Sequence, residues 1–344
     1  MLDFGFKTEG RAVVHEFADR VKGRTCENTS SVKDIWNKAL TNRVLVLITG
    51  PSPGSLGAET AISLAAEAPA TIILVGRSME KCQPTIDAVK EINPSITIKF
   101  VSADLESLKS IRDAAQRILD DAEIQQIDVM INNAGVMVCP YKKTEDGFER
   151  QFAANYVGHW VLTNRLVPKL LAAAPGARVV NVASVANKYA GIQWDDVNFE
   201  RQEYVPFKAY GQSKTAATLF AVALNRRLAA RGLRAYTLNP GSIATNLQGY
   251  MTEEMAEEAT QVMLGMSLAE VRAGAAPVKT LQQGCATQLR AALDPGLEMQ
   301  DGVYLNDCVL TDAPLWVAPY ALDKADAERL WAMTEKMVGE KFEY

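Results

Sequence analysis

Histidine is almost missing from this chain: His15 and His159 are the only two in 344 residues. A histidine-based metal centre or a Ser-His-Asp triad therefore has little to draw on, and His159, inside a helix-forming run, reads as a packed helix residue. Cysteine is scarce too. Cys26, Cys82, Cys139, Cys285 and Cys308 are odd in number and far from any CxxC spacing, which argues against a disulfide framework and a zinc site and fits a reducing, cytoplasmic setting. No stretch approaches the roughly 20 apolar residues that span a bilayer. The opening MLDFGFKTEGRAVVHEF breaks its apolar residues with acidic ones, unlike a signal peptide. Nor is there an excess of positive charge. A net charge of −5 argues against nucleic acid or an anionic membrane surface as the main partner, while leaving room for a small basic site.

What the chain does have is an ordinary globular composition, 48% hydrophobic and 22% charged, and a regular alternation of short β-rich runs with helical patterns. Strands are expected at 44–49, 71–76, 96–102, 127–132, 177–183 and 234–239, with helices at 58–67, 79–92, 105–122, 147–171 and 207–230. That rhythm is the signature of a parallel sheet covered by helices on both faces. It reads as one doubly wound domain over 43–344, preceded by an extension, 1–42, with a helical start and a polar loop. Within the extension, residues 26–42 read either as a surface loop or as an insertion into a shorter connection. Residues 246–275 form a Met-rich helical insertion, read equally as a lid over an apolar substrate and as ordinary core filling.

Tyr210-Gly-Gln-Ser-Lys214 puts a phenol and an ammonium four residues apart in a helical run. They lie roughly 40° apart around the axis and about 6 Å along it, on one face. A nearby cation favours ionised tyrosine, so the pair can run acid/base chemistry on an alcohol or ketone. By itself the spacing is weak evidence, and a cofactor site must accompany it.

Such a site is present. The first strand ends in Thr49-Gly-Pro-Ser-Pro-Gly-Ser-Leu-Gly57 and opens a helix, where glycines and free helix N–H groups suit a pyrophosphate. The second strand ends in Gly76-Arg77, and a guanidinium there suits a ribose 2′-phosphate better than a 2′-hydroxyl. NADP(H) is therefore preferred over NAD(H).

Together with Asp104-Leu105, Asn132-Asn-Ala-Gly135, Asn155, Asn181-Val-Ala-Ser184 and Asn239-Pro-Gly241, these motifs resemble the short-chain dehydrogenase/reductase family, in particular its retinol-dehydrogenase-like and fungal branch. The resemblance runs from residue 43 to the C-terminus. It implies a Rossmann fold with a mostly parallel seven-stranded sheet. Tyr210 would be the general acid/base, Lys214 its cation and a ribose ligand, Ser184 the donor to the substrate oxygen, and Asn155 a helix kink feeding a proton relay. Gly50, Ser52, Gly54, Leu56 and Gly57 would hold phosphates, Arg77 the 2′-phosphate and Asp104 the adenine. Asn132, Ala134 and Gly135 would line the ribose floor, while Pro240, Gly241, Ile243 and Thr245 would hold the nicotinamide half. One departure stands out: the family pattern TGxxxGxG carries an extra residue here between Gly54 and Gly57.

The expected activity is interconversion of a ketone or aldehyde and an alcohol, with no metal. Trp194, Tyr204, Phe207, Tyr250 and the lid methionines point to a medium to large apolar small-molecule substrate. A sugar-nucleotide epimerase of the extended branch and a non-catalytic NADP-binding sensor are the rival readings. Pairing of two copies through the helices carrying Asn155 and Tyr210 is open, since nothing in the chain demands it.

Overall fold

The computed structural model describes residues 3–22, 44–275 and 277–344; the 26–42 segment lies outside them. Among these residues, eight strands form a single sheet in the order β3-β2-β1-β4-β5-β6-β7-β8. They are β1 Leu45–Thr49, β2 Thr71–Gly76, β3 Thr97–Ser102, β4 Val129–Asn132, β5 Ala177–Val182, β6 Leu233–Asn239, β7 Tyr304–Asn306 and β8 Val309–Leu310. All neighbours are parallel except β7 and β8. The expected seven strands thus become eight, because a hairpin after β7 adds one antiparallel edge strand. Strands such as LVLIT and ARVVNV are buried along their whole length, as apolar, β-branched runs in a sheet covered on both faces must be.

One face carries α1 Gly10–Glu16, α2 Ala18–Lys22, α3 Leu56–Ala65, α4 Met79–Ile92 and α10 Leu281–Leu293. Serines start several of the connections: Ser55 and Ser78 accept hydrogen bonds from Ala58 N and Lys81 N at the heads of α3 and α4, which fixes where each helix begins. The described part of the N-terminal extension belongs to this core, with Val13, Val14 and Val21 fully buried. Gly10 sits so close to α10 that a Cβ would stand 2.4 Å from Cys285 Sγ.

The other face carries α5 Leu108–Asp120, α6, α7 Pro206–Leu228 and α11 Lys324–Val338. Here α6 is a composite of Arg150–Phe152, a π turn at Ala153–Val157, and Gly158–Ala172. Two further helices, α8 Glu253–Leu264 and α9 Leu268–Arg272, follow β6. The C-terminal segment closes over α6 and α7. Trp331 lies edge-on to Trp160 at 5.1 Å, Tyr156 Oη meets Thr334 Oγ1 at 2.7 Å, and Tyr344 Oη donates to Asn164 O. That covers the outward faces through which a second copy could pair.

Candidate active site

Strand order reverses between β1 and β4, and open α/β sheets bind ligands over the carboxyl ends of such a pair. The glycine turn follows β1 at this point. Gly50 and Gly54 take φ of +70° and +73°, a region that glycine enters without strain. The extra residue is absorbed without losing the close packing. A Cβ on Gly57 would stand 2.6 Å from Gly50 O and from Asn133 Nδ2, and one on Gly50 would stand 2.8 Å from Ala134 Cα. Ser55 closes the turn by donating to Gly50 O. Ser52 O accepts from Ser55 N, and Leu56 is the first, buried residue of α3. Gly57→Ala should therefore lower Tm, at an overpacking cost of about 1–3 kcal/mol, in thermal unfolding of the ligand-free protein; an unchanged Tm would contradict this packing.

The floor beside the turn is tied by two residues to which the sequence assigned no role. Thr49 Oγ1 accepts from Asn133 N and Ala134 N, both at 2.9 Å, and Asn133 Nδ2 donates to Thr49 O and Gly50 O. Both lie inside the recognised motifs, which were the available signal. His159 Nε2 contacts the same Thr49 hydroxyl at 2.9 Å. Burial pulls its pKa down to about 4, so His159 is a neutral packed residue. Asn132 turns inward, its amide donating to Thr163 Oγ1 and Asn181 Oδ1; its side chain ties β4 to β5 and α6, while Ala134 and Gly135 stay half-buried.

At the end of β2, Arg77 is exposed and its guanidinium makes no ion pair among the described residues. Asp104, past the end of β3, accepts from Glu106 N at 3.0 Å. On the far side, Gly241 has φ +97°, Ile243 is buried, and Thr245 caps the turn Asn246–Gln248. Asn246 Nδ2 reaches across to Pro53 O at 3.1 Å, joining this segment to the glycine turn.

Tyr210 and Lys214 stand on α7, each 4% exposed. The helix starts with Pro206 in its first turn, where a missing N–H costs nothing. Burial pushes the Tyr210 phenol above the usual tyrosine range, and a hydrogen bond with Ser184 pulls it part of the way back. Lys214 is driven down to about 8 by burial. Its Nζ donates to Val182 O at 2.8 Å and lies 5.6 Å from the Tyr210 ring centroid. The expectation that the lysine eases tyrosine toward ionisation is thus outweighed here: desolvation dominates, and Tyr210 is held as the neutral phenol.

Ser184 lies just past β5 and accepts from Ala186 N at 3.1 Å. Asn155 sits in the π turn of α6, a distortion common at functional sites. Its side chain accepts from Val136 N and donates to Val136 O and Ser213 Oγ, clamping the segment after Gly135 to α7. Gly135 must be small, since a Cβ there would stand 3.0 Å from Asn155 Oδ1.

Met251, Met255 and Ala259 of the 246–275 segment pack with Met137, Val138, Ala186, Tyr189, Phe207 and Tyr210 in one apolar cluster. Tyr189 Oη donates to Glu258 Oε1 at 2.8 Å. Three of the four aromatics expected here lie elsewhere. Trp194 stacks under Arg329 and Tyr250 under Arg150, while Tyr204 donates to Glu149 Oε1 as a strut at the head of α6. Each has a cation or hydrogen-bond partner of its own, and of the four Phe207 alone joins the apolar cluster around Tyr210.

The model of the short chain dehydrogenase family matches residues 44–256. The chain is 38% identical over 297 residues to retinol dehydrogenase 13 of Homo sapiens, covering 86% of this chain and 84% of that one. It is 35% identical to the short-chain dehydrogenase/reductase prx1 of Penicillium roqueforti, covering 85% and 84%. Among solved structures, an uncharacterized protein from Mycobacterium Paratuberculosis is similar at 30% identity and a TM-score of 0.63, covering 88% of this chain and 95% of that one. A short-chain dehydrogenase from Sphingobium yanoikuyae in complex with NADPH shares the fold at 20% identity and a TM-score of 0.55, covering 85% and 96%. On these matches and this geometry, the chain belongs to the short-chain dehydrogenase/reductase family, in its retinol-dehydrogenase-like branch.

Proposed function

We propose that the protein is an NADP(H)-dependent oxidoreductase interconverting a ketone or aldehyde and an alcohol, with a medium to large apolar substrate. The observation that carries this is the convergence of Ser184, the neutral Tyr210 phenol and the buried Lys214 ammonium at one carboxyl edge of the sheet, beside a glycine turn that a Cβ would block. Retinol dehydrogenase, the name of the human relative, is in keeping with alcohol–carbonyl chemistry.

The residues fit a dinucleotide. Gly50 and Gly54 bend the backbone, the start of α3 offers free N–H groups, and exposed Arg77 offers an unpaired guanidinium for a 2′-phosphate. When bound, the cofactor supplies or takes the hydride at the carbonyl carbon. In reduction, Tyr210 gives its phenolic proton to the substrate oxygen as alkoxide character develops there, and Ser184 donates a hydrogen bond to the same oxygen. Lys214 stabilises the tyrosinate left behind and would bind ribose hydroxyls. The apolar cluster of Phe207, Met251 and Met255 excludes water from this exchange.

The test is a panel of apolar ketones, aldehydes and alcohols, assayed with NADPH or NADP and with NADH or NAD. Net NADPH consumption supports a reductase; bound NADPH without turnover supports a sensor, and an isomerised substrate without net NADPH loss supports an epimerase. Arg77→Ala should raise KM for NADPH about 10-fold or more, as loss of a charge-assisted hydrogen bond does, and leave KM for NADH unchanged. Wild-type enzyme that used NADH better would remove this role from Arg77.

Within this reading the enzyme acts without a second copy on the α6 and α7 faces, which its own C-terminal segment occupies. A cytoplasmic location belongs to the same proposal, since Cys82, Cys139, Cys285 and Cys308 are free and buried, as a reducing compartment allows. Among the described residues, no helix is long and apolar enough to cross a membrane.

A further inference from the structure

Lys279 is a buried cation that the chemistry above does not use. Its side chain is fully buried; Nζ lies 2.5 Å from Asp307 Oδ1 as an ion pair, has no aligned hydrogen-bond acceptor among the described residues, and stands 5.0 Å from the centroid of the Phe6 ring. Lys279 N donates to Ser242 O, and Ile243 and Lys279 form a parallel bridge. The aliphatic stem fills the space beside Gly241, where a Cβ would stand 2.9 Å from Lys279 Cδ. Taking an ammonium out of water costs several kcal/mol unless a partner and further hydrogen bonds repay it.

The partner, Asp307, is itself held in an unusual place. Asp307 and Cys308, between β7 and β8, have φ of +48° and +63°. Such a tight turn asks for positive φ at both central residues and favours glycine at the second. Thr287 Oγ1 accepts from Cys308 N and helps to hold it.

From Asp307 a chain of side chains leads to the active site. Asn306 Nδ2 donates to Asp307 Oδ2 at 3.0 Å, and Asn239 Nδ2 donates to Asn306 Oδ1 at 2.8 Å. Asn239 Oδ1 then accepts from two amides, Val185 N and Gly241 N, both at 3.3 Å. Val185 follows Ser184. Gly241 opens the loop assigned to the nicotinamide half.

We propose that Lys279, Asp307, Asn306 and Asn239 form a positioning relay that fixes the Ser184 segment and the Gly241 loop relative to each other. Its catalytic meaning rests on the function proposed for those two segments. None of the four is a group that touches the reacting atoms. Their task is to hold a substrate-side donor and a cofactor-side loop in register, where a misplacement of about 1 Å costs about 100-fold in rate.

The test uses Lys279→Met, which keeps length and removes charge, and Asp307→Asn, which keeps shape. Hydrogen exchange of the ligand-free protein should quicken by about 3–5-fold at the amides of Val185 and Gly241 in both variants, as expected when an ordinary hydrogen bond is weakened, with α5 and α7 unchanged. With NADPH and the best carbonyl of the panel, kcat should fall about 10–100-fold and the carbonyl KM should barely move. Unchanged exchange at the two amides would overturn the relay whatever the activity. So would faster exchange spread equally over α5 and α7, which marks a general loss of stability. Should Lys279→Met fail to fold, the isosteric Asp307→Asn decides alone. If wild-type enzyme turns over no carbonyl, the proposed function fails while the exchange measurement still judges the relay.

Discussion

Tyr210→Phe is expected to lower kcat for carbonyl reduction by about 10²–10⁴-fold, the usual worth of a positioned general acid, and to leave the fold intact. The substitution removes one hydroxyl and nothing else. The ring stays in its apolar cluster with Val138, Ala186, Phe207 and Ala259, 6.2 Å from the Phe207 ring centroid. Because burial holds the Tyr210 proton on, the resting residue is already the acid that reduction requires. Ser184 still donates a hydrogen bond to the substrate oxygen, yet a serine hydroxyl is too weak an acid to replace the phenol. Steady-state kinetics beside a thermal melt and NADPH titration check this. A variant with full activity, or one that fails through loss of fold or of NADPH binding, would contradict the role given to Tyr210.

Lys214→Met should abolish most turnover and at the same time stabilise the protein at neutral pH. The lysine is held down from 10.5 to about 8 by burial, and each tenfold change in proton affinity is worth about 1.4 kcal/mol. Its ionisation therefore costs the fold about 3 kcal/mol, of which about 1–2 kcal/mol is offset when the bond to Val182 O is lost in the variant. A net gain of about 1–2 kcal/mol remains, visible as a higher Tm. The pH dependence follows from the sign. The unfolded chain holds the Lys214 proton up to about 10.5 and the folded protein only to about 8, so wild-type stability rises with pH between those values. The methionine variant lacks that rise. Its advantage should be full below pH 8 and shrink toward pH 10.5; an advantage that grew with pH would show that Lys214 is not destabilised by burial. Stability given up for function is common at active sites.

The sheet was legible because its strands are buried on both faces. Each of β1 to β6 falls within two residues of the expected run at both ends, since continuous apolar stretches bounded by Gly, Pro and polar residues leave little choice. β7 and β8, three and two residues long, carry no period to read; pairing with β6 and a tight turn create them. Motif order puts Tyr210 and Lys214 on a helix after the fifth strand, Ser184 at that strand's end and Asn155 in the preceding helix, and they stand on those elements. Lys279, Asp307 and Asn306 were not legible, for they lie far from Asn239 in sequence and meet it only because β7 pairs with β6. Trp194, Tyr204 and Tyr250 were misplaced because aromatic character alone cannot say which ring finds an arginine or a carboxylate first.

A deuterium label follows the transferred hydride itself. Wild-type protein is given NADPH carrying deuterium at the transferable position of C4, with the best carbonyl of the panel, and the alcohol is examined by mass spectrometry beside the Tyr210→Phe reaction. Deuterium should appear on the former carbonyl carbon with wild-type enzyme, and almost none with the variant. Alcohol formed without the label, or label that stays with a tightly held cofactor while the substrate is merely isomerised, would contradict the proposed hydride transfer.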